Sequence, residues 1–381
     1  DAAPMSMPPR HALLRLCLAG GRLGPRRRLL ETHGGNAEAV LAMGPTAWRE
    51  ACLTAAQIHR LQGLDPATDA VETRALRWLD TPGHHLIGWG DADYPPQLRR
   101  IASPPLTLYV DGDPACLWRP QVAIVGSRNA THGGQDNARL FARALAEVGI
   151  AITSGLAAGI DAAAHLGALG VADGVTIAVV GTGPDRAYPV SHAGLRDHIA
   201  LRGAVASEHP PGTAPLRRHF PARNRLVAGL SLATLVVEAG EQSGALISAR
   251  MAAEAGREVF ALPGSIHNPL ARGCHRLLRE GAQLAQSPED LMQALVPYVQ
   301  GAVTGLRQRL GTPISPAVAV CGEILGDPHR LWEALGHDPT PMDALVIRTG
   351  LTVAQLSPML LALELQGRLS VEHGRYARKS A

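Results

Sequence analysis

The chain has 381 residues, 46% of them hydrophobic, and a formal net charge of +3 at pH 7. That length allows two or three domains with large cores. No run approaches the roughly 20 apolar residues of a membrane span, so a cytoplasmic protein with no membrane partner is expected. Lys379 is the only lysine, which excludes a P-loop lysine or a Schiff base from the body of the chain and leaves any phosphate site to planar guanidinium groups.

Residues 10–75 read as short helices. Leu13, Leu14, Leu16 and Leu18 lead to Gly20-Gly21, then to Arg26-Arg27-Arg28-Leu29-Leu30, then to Gly34-Gly35. Helices joined by a Gly turn and carrying basic residues suit modules that touch a DNA backbone, and a plain packing domain shows the same pattern. Residues 76–120 read as a Pro- and Gly-rich connection with one strand, Leu106–Val110, closed by the turn Asp111–Pro114. From 121 to 296, short apolar runs alternate with Ala/Leu-rich helical runs. The expected strands are Val122–Val125, Ile150–Thr153, Thr176–Val180, Ala204–Ser207, Leu235–Val237 and Val259–Ala261. The expected helices are Ala138–Val148, Gly159–Leu169, Ser191–Leu201 and Leu246–Ala255. Strands that are apolar throughout have both faces covered, which points to a doubly wound, mostly parallel α/β domain. Residues 297–317 read as a linker. Within 318–378, Arg330–Leu335, Pro341–Thr349 and Val353–Leu365 read as helices, followed by strands Arg368–Val371 and Arg375–Ala377 about the turn Glu372–Gly374. That is a winged-helix order, and Pro358 requires the last helix to start late. Glu364 and the lack of basic residues on Val353–Leu365 argue against duplex readout and for a protein contact.

Several strands end in Gly/Ser turns that enter helices: Gly126-Ser127-Arg128, Ser154-Gly155 and the segment Glu238–Gly244. Such turns expose amides at the positive end of a helix, and a parallel sheet gathers them along one edge as an anion-binding rim. Arg217, Arg218, His219, Arg223 and Arg225 cluster in an acid-free loop with Phe220. Arginines interleaved with an aromatic suit single-stranded nucleic acid; Arg223 or Arg225 paired inside the fold fits the same loop. Asn224 suits a cap for a following helix. Asp161 reads as a structural cap. Glu238 reads as structural too, bonding backbone amides or an arginine such as Arg225. The rival is a Rossmann-type hydrolase of nucleoside monophosphates with Glu238 as acid or base. Cys17, Cys52, Cys116, Cys274 and Cys321 are isolated, so no zinc site or disulfide framework is expected, and no cofactor.

Taken in order and spacing, these motifs resemble the bacterial DNA-processing protein A family, also called Smf. The matching residues are Tyr94-Pro95 with Leu98, Pro105–Tyr109, Val125–Arg128, Ser154–Ala157 with Gly159–Asp161, Gly181–Gly183 with Tyr188-Pro189, Phe220-Pro221 with Arg223–Arg225, Val237–Ala239 with Ser243–Ile247, and Pro263-Gly264. The resemblance covers nearly the whole chain. It implies an N-terminal SAM-like helical domain (10–75), an extended Rossmann-like domain (76–296) and a C-terminal winged-helix-like domain (318–378). It further implies a homodimer that binds and protects incoming single-stranded DNA in natural transformation and loads the recombinase RecA onto it, with single-strand-binding protein as a further candidate partner and no catalysis. The expected contacts are Gly126, Ser127, Arg128, Ser154, Gly155, Arg217, Phe220, Arg223, Asn224, Arg225, Gln242, Ser243 and Gly244. Gln242 departs from the Lys or Arg of many relatives, with Arg218 a substitute, and Arg272–Leu277 departs from the usual Gly-Thr-Asn-like turn.

Overall fold

Six helices open the chain: α1 (Pro9–Leu18), α2 (Leu23–Thr32), α3 (Ala37–Ala42), α4 (Gly44–Glu50), α5 (Ala55–Leu61) and α6 (Pro66–Leu79). Local chemistry sets their ends. Gly20 and Gly21 take φ of +67° and +65° between α1 and α2, a region that favours glycine. Thr54 and Gln57 form a reciprocal capping box on α5, and Asp65 caps α6 ahead of Pro66. Leu13, Leu16, Leu29, Leu30, Trp48 and Leu61 form their core. The description comes from a computed structural model covering residues 8–298 and scattered positions from 331 to 378. The chain divides into two compact units, 1–311 and 312–381.

The helices pack onto a hairpin of β1 (His84–Gly88) and β2 (Thr107–Gly112), with Leu106 in the helical core and Tyr109 against Leu14, Ala75 and Leu79. The connection expected over 76–120 therefore contains a second strand, paired antiparallel with Leu86 opposite Tyr109. The expected turn at Asp111–Pro114 comes later, because Asp111 and Gly112 still pair with Val205 and Ala204.

The α/β part runs β3 (Gln121–Val125), α7 (His132–Glu147), β4 (Ala151–Ser154), α8 (Ile160–Leu169), β5 (Thr176–Val180), α9 (Ala193–Arg202), β6 (Ala204–Ser207), α10 (His219–Leu230), β7 (Ala233–Val236), α11 (Gly244–Glu254), β8 (Glu258–Ala261), α12 (Arg272–Arg279) and β9 (Gln283–Leu284). The sheet order is β1-β2-β6-β5-β4-β3-β7-β8-β9. It is parallel from β6 to β9 and antiparallel at β1 and β2. Leu98, Leu226, Leu230, Leu246 and Leu277 cover one face. Phe141, Leu145, Ile160, Leu291 and Leu295 cover the other. This is the doubly wound sheet that the continuously apolar strands require.

Two expectations are corrected here. The Arg-rich stretch is a loop only as far as Arg218; α10 starts at His219, so Phe220, Arg223, Asn224 and Arg225 are helical and Asn224 caps nothing. Pro221 lies in the first turn, where a missing N–H costs no helical bond. Arg272–Leu277, expected in place of a turn, is helical and lies in α12; Gly273 fits because a Cβ there would meet the Ala239 carbonyl oxygen at 2.6 Å. The first two positions of the expected linker, 297 and 298, are helical, in a run described from 288 onward.

In the C-terminal unit, β10 (Thr340–Pro341), β12 (Arg375–Arg378) and β11 (Leu369–Glu372) form an antiparallel sheet beside a helix, Met342–Thr349. Leu331, Leu335, Leu345, Leu356, Leu360 and Leu369 make its core. Leu331 is helical and Leu335 is not, while Leu356, Leu360 and Leu363 of the expected Val353–Leu365 helix are helical. Residues 299–317, Cys321, Pro358 and Lys379 lie outside the described residues.

Candidate nucleic-acid interface

From β3 the chain builds the sheet towards β6; after β6 it crosses back to lay β7 on the other side of β3. The carboxyl ends of β3 and β7 therefore flank a topological switch point, where loops diverge and leave a crevice. A cavity of about 780 Å³ opens there. Gly126, Ser127, Arg128, Gly155, Arg217, Phe220, Arg223, Asn224, Gln242, Ser243 and Gly244 all line it, drawn from the turns after β3, β4 and β7 and from the start of α10. Ser154 and Arg225, also named from the sequence, do not line it.

The amides are less available than a row of Gly/Ser turns suggests. The Ser127 amide donates to the Glu238 carbonyl (2.7 Å) and the Ser243 amide to the Gly240 carbonyl (3.0 Å). The Gly155 amide donates to Asp161 Oδ2 (3.1 Å). Ser154 is fully buried and its hydroxyl donates to the Ile124 carbonyl (2.6 Å). The turns brace one another, so in this crevice side chains supply the positive charge.

The arginines divide sharply. Arg223 is buried and donates to the carbonyls of Gly155 (2.6 Å) and Val179. Its guanidinium lies where a Cβ of residue 155 would be, which is why glycine stands there. Burial lowers its pKa, and the nearby Asp161 opposes that shift. Asp161 is buried too; desolvation raises its pKa, while Arg223 and the amides of Gly155 and Ala157 pull it down. Arg223 is thus a strut in the crevice floor. Arg225 is neutralised by Glu208, with two bonds of 2.7 Å. Arg128 and Arg217 are exposed and have no carboxylate partner among the described residues. Arg128 lies over the Phe220 ring, 5.7 Å from its centroid, a contact that pre-orients the cation. Asn224 donates to the Gly244 carbonyl (3.3 Å), tying α10 to α11, and Gln242 is exposed on the turn between β7 and α11.

Tyr188 was not among the expected contacts. Its ring is half-exposed, 5.2 Å from Phe220, and lines the cavity. The only sequence signal was its place in the Tyr188-Pro189 motif. Ile247, whose one signal was its place in the Ser243–Ile247 motif, and Leu270, which carried none, complete the apolar wall.

Glu238 stands outside the lining. Its oxygens accept from the Thr131 amide (2.9 Å), the Thr131 hydroxyl (2.6 Å) and Asn268 (3.3 Å). Its partners are therefore an amide, a hydroxyl and a carboxamide, with no arginine among them. It fixes the start of α7, where a carboxylate also meets the helix dipole. His275 Nε2 contacts the Gly264 carbonyl (3.0 Å). No group of His, Cys, Asp or Glu with metal-holding geometry occurs among the described residues, and none of their helices is long and apolar enough to cross a membrane.

Residues 85–296 match the family model described as DNA recombination-mediator protein A, and residues 325–375 match the DprA winged helix domain. Protein Smf of Escherichia coli (strain K12) is 41% identical over 306 residues, 80% of each chain. The DNA processing protein DprA of Streptococcus pneumoniae is 46% identical over 202 residues, 53% of this chain and 71% of that protein. Among solved structures, DNA processing protein A from S. pneumoniae superposes with a TM-score of 0.65 at 35% identity, covering 74% of this chain and 97% of that one. DNA processing protein A from Helicobacter pylori, whose structure describes a single-stranded DNA binding mode, gives 0.51 at 31% identity, covering 56% and 96%. With more than half its length in one family model and a relative matched over four-fifths of both chains, this chain belongs to the DNA recombination-mediator protein A family, whose members are named DprA or Smf.

Proposed function

We propose that the crevice binds single-stranded DNA, and that the protein, as a homodimer, protects the strand and delivers it to RecA without catalysing a reaction. One observation carries this reading. The crevice sets two guanidinium groups that have no carboxylate partner among the described residues, Arg128 and Arg217, beside two neighbouring rings, Phe220 and Tyr188. The cations suit phosphates, and the rings suit an unpaired base, which a duplex keeps stacked inside. Among the described residues, the carboxylate in the lining is Asp161, which is held by backbone amides. The relative from H. pylori, with its single-strand binding mode, supports the same ligand.

The hydrolase reading fails on Glu238. Its oxygens are occupied by Thr131 and Asn268 and lie outside the lining, so no base is poised over a bound nucleotide. We assign the DNA contact to residues 76–296, with 10–75 as a supporting helical domain, 297–317 as the link and 318–378 as a protein-contact domain, in keeping with an exposed Glu364.

Anisotropy with oligo-dT against duplex competitor tests the ligand. Arg128→Ala should weaken binding by about 1–3 kcal/mol whatever the sequence, as expected for a charge-assisted phosphate bond. Unchanged affinity would remove Arg128 from the site. Free base released from nucleoside monophosphates, and lost in Glu238→Gln, would return the hydrolase. RecA delivery is read as strand exchange on oligonucleotide coated with single-strand-binding protein; no stimulation would reject that step.

A further inference from the structure

Arg99 lies outside the crevice, yet it is built like a binding group. It sits in a 3₁₀ turn, Leu98–Arg100, and its side chain is exposed. Its guanidinium carbon is 4.7 Å from the Trp89 ring centroid and 4.9 Å from that of Tyr94. The two rings meet edge to face at 5.2 Å. Tyr94 is itself fixed, buried and donating to the Pro105 carbonyl (2.7 Å). An exposed arginine ordinarily samples many rotamers and loses that freedom on binding; this one is held by two rings beforehand, so less is lost. Its guanidinium donates to the Asp91 carbonyl at 3.3 Å. The Asp91 carboxylate accepts from the Gly88 amide (2.7 Å) instead. No carboxylate pairs with Arg99 among the described residues.

The position relative to the crevice gives this arginine a use. Leu98 and Ile101 flank it and press on α10: a Cβ at Gly229 would meet Ile101 at 2.7 Å and Leu98 at 3.1 Å. The same helix presents Phe220 to the crevice at its other end. Phe220 and Gly229 are separated by roughly 14 Å of helix at about 1.5 Å per residue. Between them lies Arg225, whose charge, like those of Arg99 and Arg27, acts on Tyr94. The acid in this stretch, Glu208, is held by Arg225.

We propose that Arg99, clamped by Trp89 and Tyr94, is a second phosphate contact for single-stranded nucleic acid held in the crevice and reaching beyond it. This rests on the crevice being a single-strand site. The full chain and its Arg99→Gln and Arg99→Lys variants are titrated with oligo-dT of about 6 and about 16 nucleotides, within the usual range of single-strand site sizes. Arg99→Gln should lose about fivefold or more on the longer oligonucleotide, change less than about twofold on the shorter, and reduce the salt slope by about 0.7, the value for one phosphate contact on a single strand. Arg99→Lys should keep the slope. Equal affinities and slopes at both lengths overturn the proposal and leave Arg99 a staple of the β1 edge, visible only as a lowered melting temperature. Arg128→Ala separates the two readings. If it weakens both oligonucleotides while Arg99→Gln weakens neither, only the Arg99 contact falls. If the unaltered protein binds neither oligonucleotide, both readings fall.

Discussion

Two arginine-rich segments, Arg26–Arg28 and Arg217–Arg225, look alike in the sequence and serve different ends. In the helical region, Arg26 is buried and donates to the carbonyls of Leu16 (2.9 Å) and Cys17 (2.6 Å), closing the turn between α1 and α2. Arg27 pairs with Glu31 (3.4 Å), which leaves Arg28 exposed. At the crevice, Arg223 turns inward and Arg225 meets Glu208, while Arg217 and Arg218 stay exposed before α10 begins. In both segments the helix decides availability. Once a backbone is helical, neighbouring residues point about 100° apart, so successive arginines cannot all face one ligand. The difference is that the crevice segment starts as loop and places its free cations beside aromatic rings.

The comparison breaks first at Arg223. Arg223→Ala should cost about 2–4 kcal/mol of stability, because it leaves buried carbonyls unpaired and opens a cavity; a denaturant midpoint within error of the parent would mean the floor stands without its strut.

A second test concerns buried polar groups on the same sheet. His165 is fully buried with its pKa lowered to about 3 by desolvation, then by the charges of Arg223 and His192. The Thr176 hydroxyl donates to the Ile152 carbonyl, so it accepts from His165 Nδ1 and leaves Nε2 bare and without a partner. Between pH 6.5 and about 3 the unfolded chain binds this proton and the folded chain does not. Stability should therefore fall as pH drops through that window, by up to about 1.4 kcal/mol per pH unit for one such group. His209, lowered to about 4 chiefly by burial, adds to the same trend. A His165→Leu variant should show a shallower fall; an unchanged slope in acid titrations of stability would assign the effect elsewhere.

Smaller effects compare arginines directly. Arg217→Ala should weaken oligonucleotide binding by about 1 kcal/mol or more, and Arg225→Ala by less, since Glu208 already cancels its charge. The reverse order in an anisotropy titration would show that Arg225 leaves Glu208 when DNA binds. Arg28→Ala should change affinity by less than about 0.5 kcal/mol; a larger loss would make the helical region a second DNA surface.

The strands were legible where the chain is apolar on both sheet faces. β5 and β6 span the residues expected from sequence, and β3, β4, β7 and β8 lie within one or two. β1 was not legible: His-His-Leu-Ile-Gly carries one β-branched residue and sits half-buried at the sheet edge. α10 was hidden because Pro221 and a run of arginines read as loop. Its later residues, Leu226–Leu230, are buried in the core that makes the helix necessary.

By itself the sequence determined the parallel sheet, the turns that gather at its edge, and most of the crevice lining. Covered strands must be apolar throughout, and tight strand-to-helix turns need small residues. Only the tertiary structure decided which of those groups can meet a ligand. It gave the amides of Ser127, Gly155 and Ser243 partners within the protein, sent Arg223 beneath Gly155, paired Arg225 with Glu208, and brought Tyr188 beside Phe220. Availability is a property of neighbours, and the neighbours of Arg223 and Arg225, Gly155 and Glu208, stand far from them or across a turn in the chain.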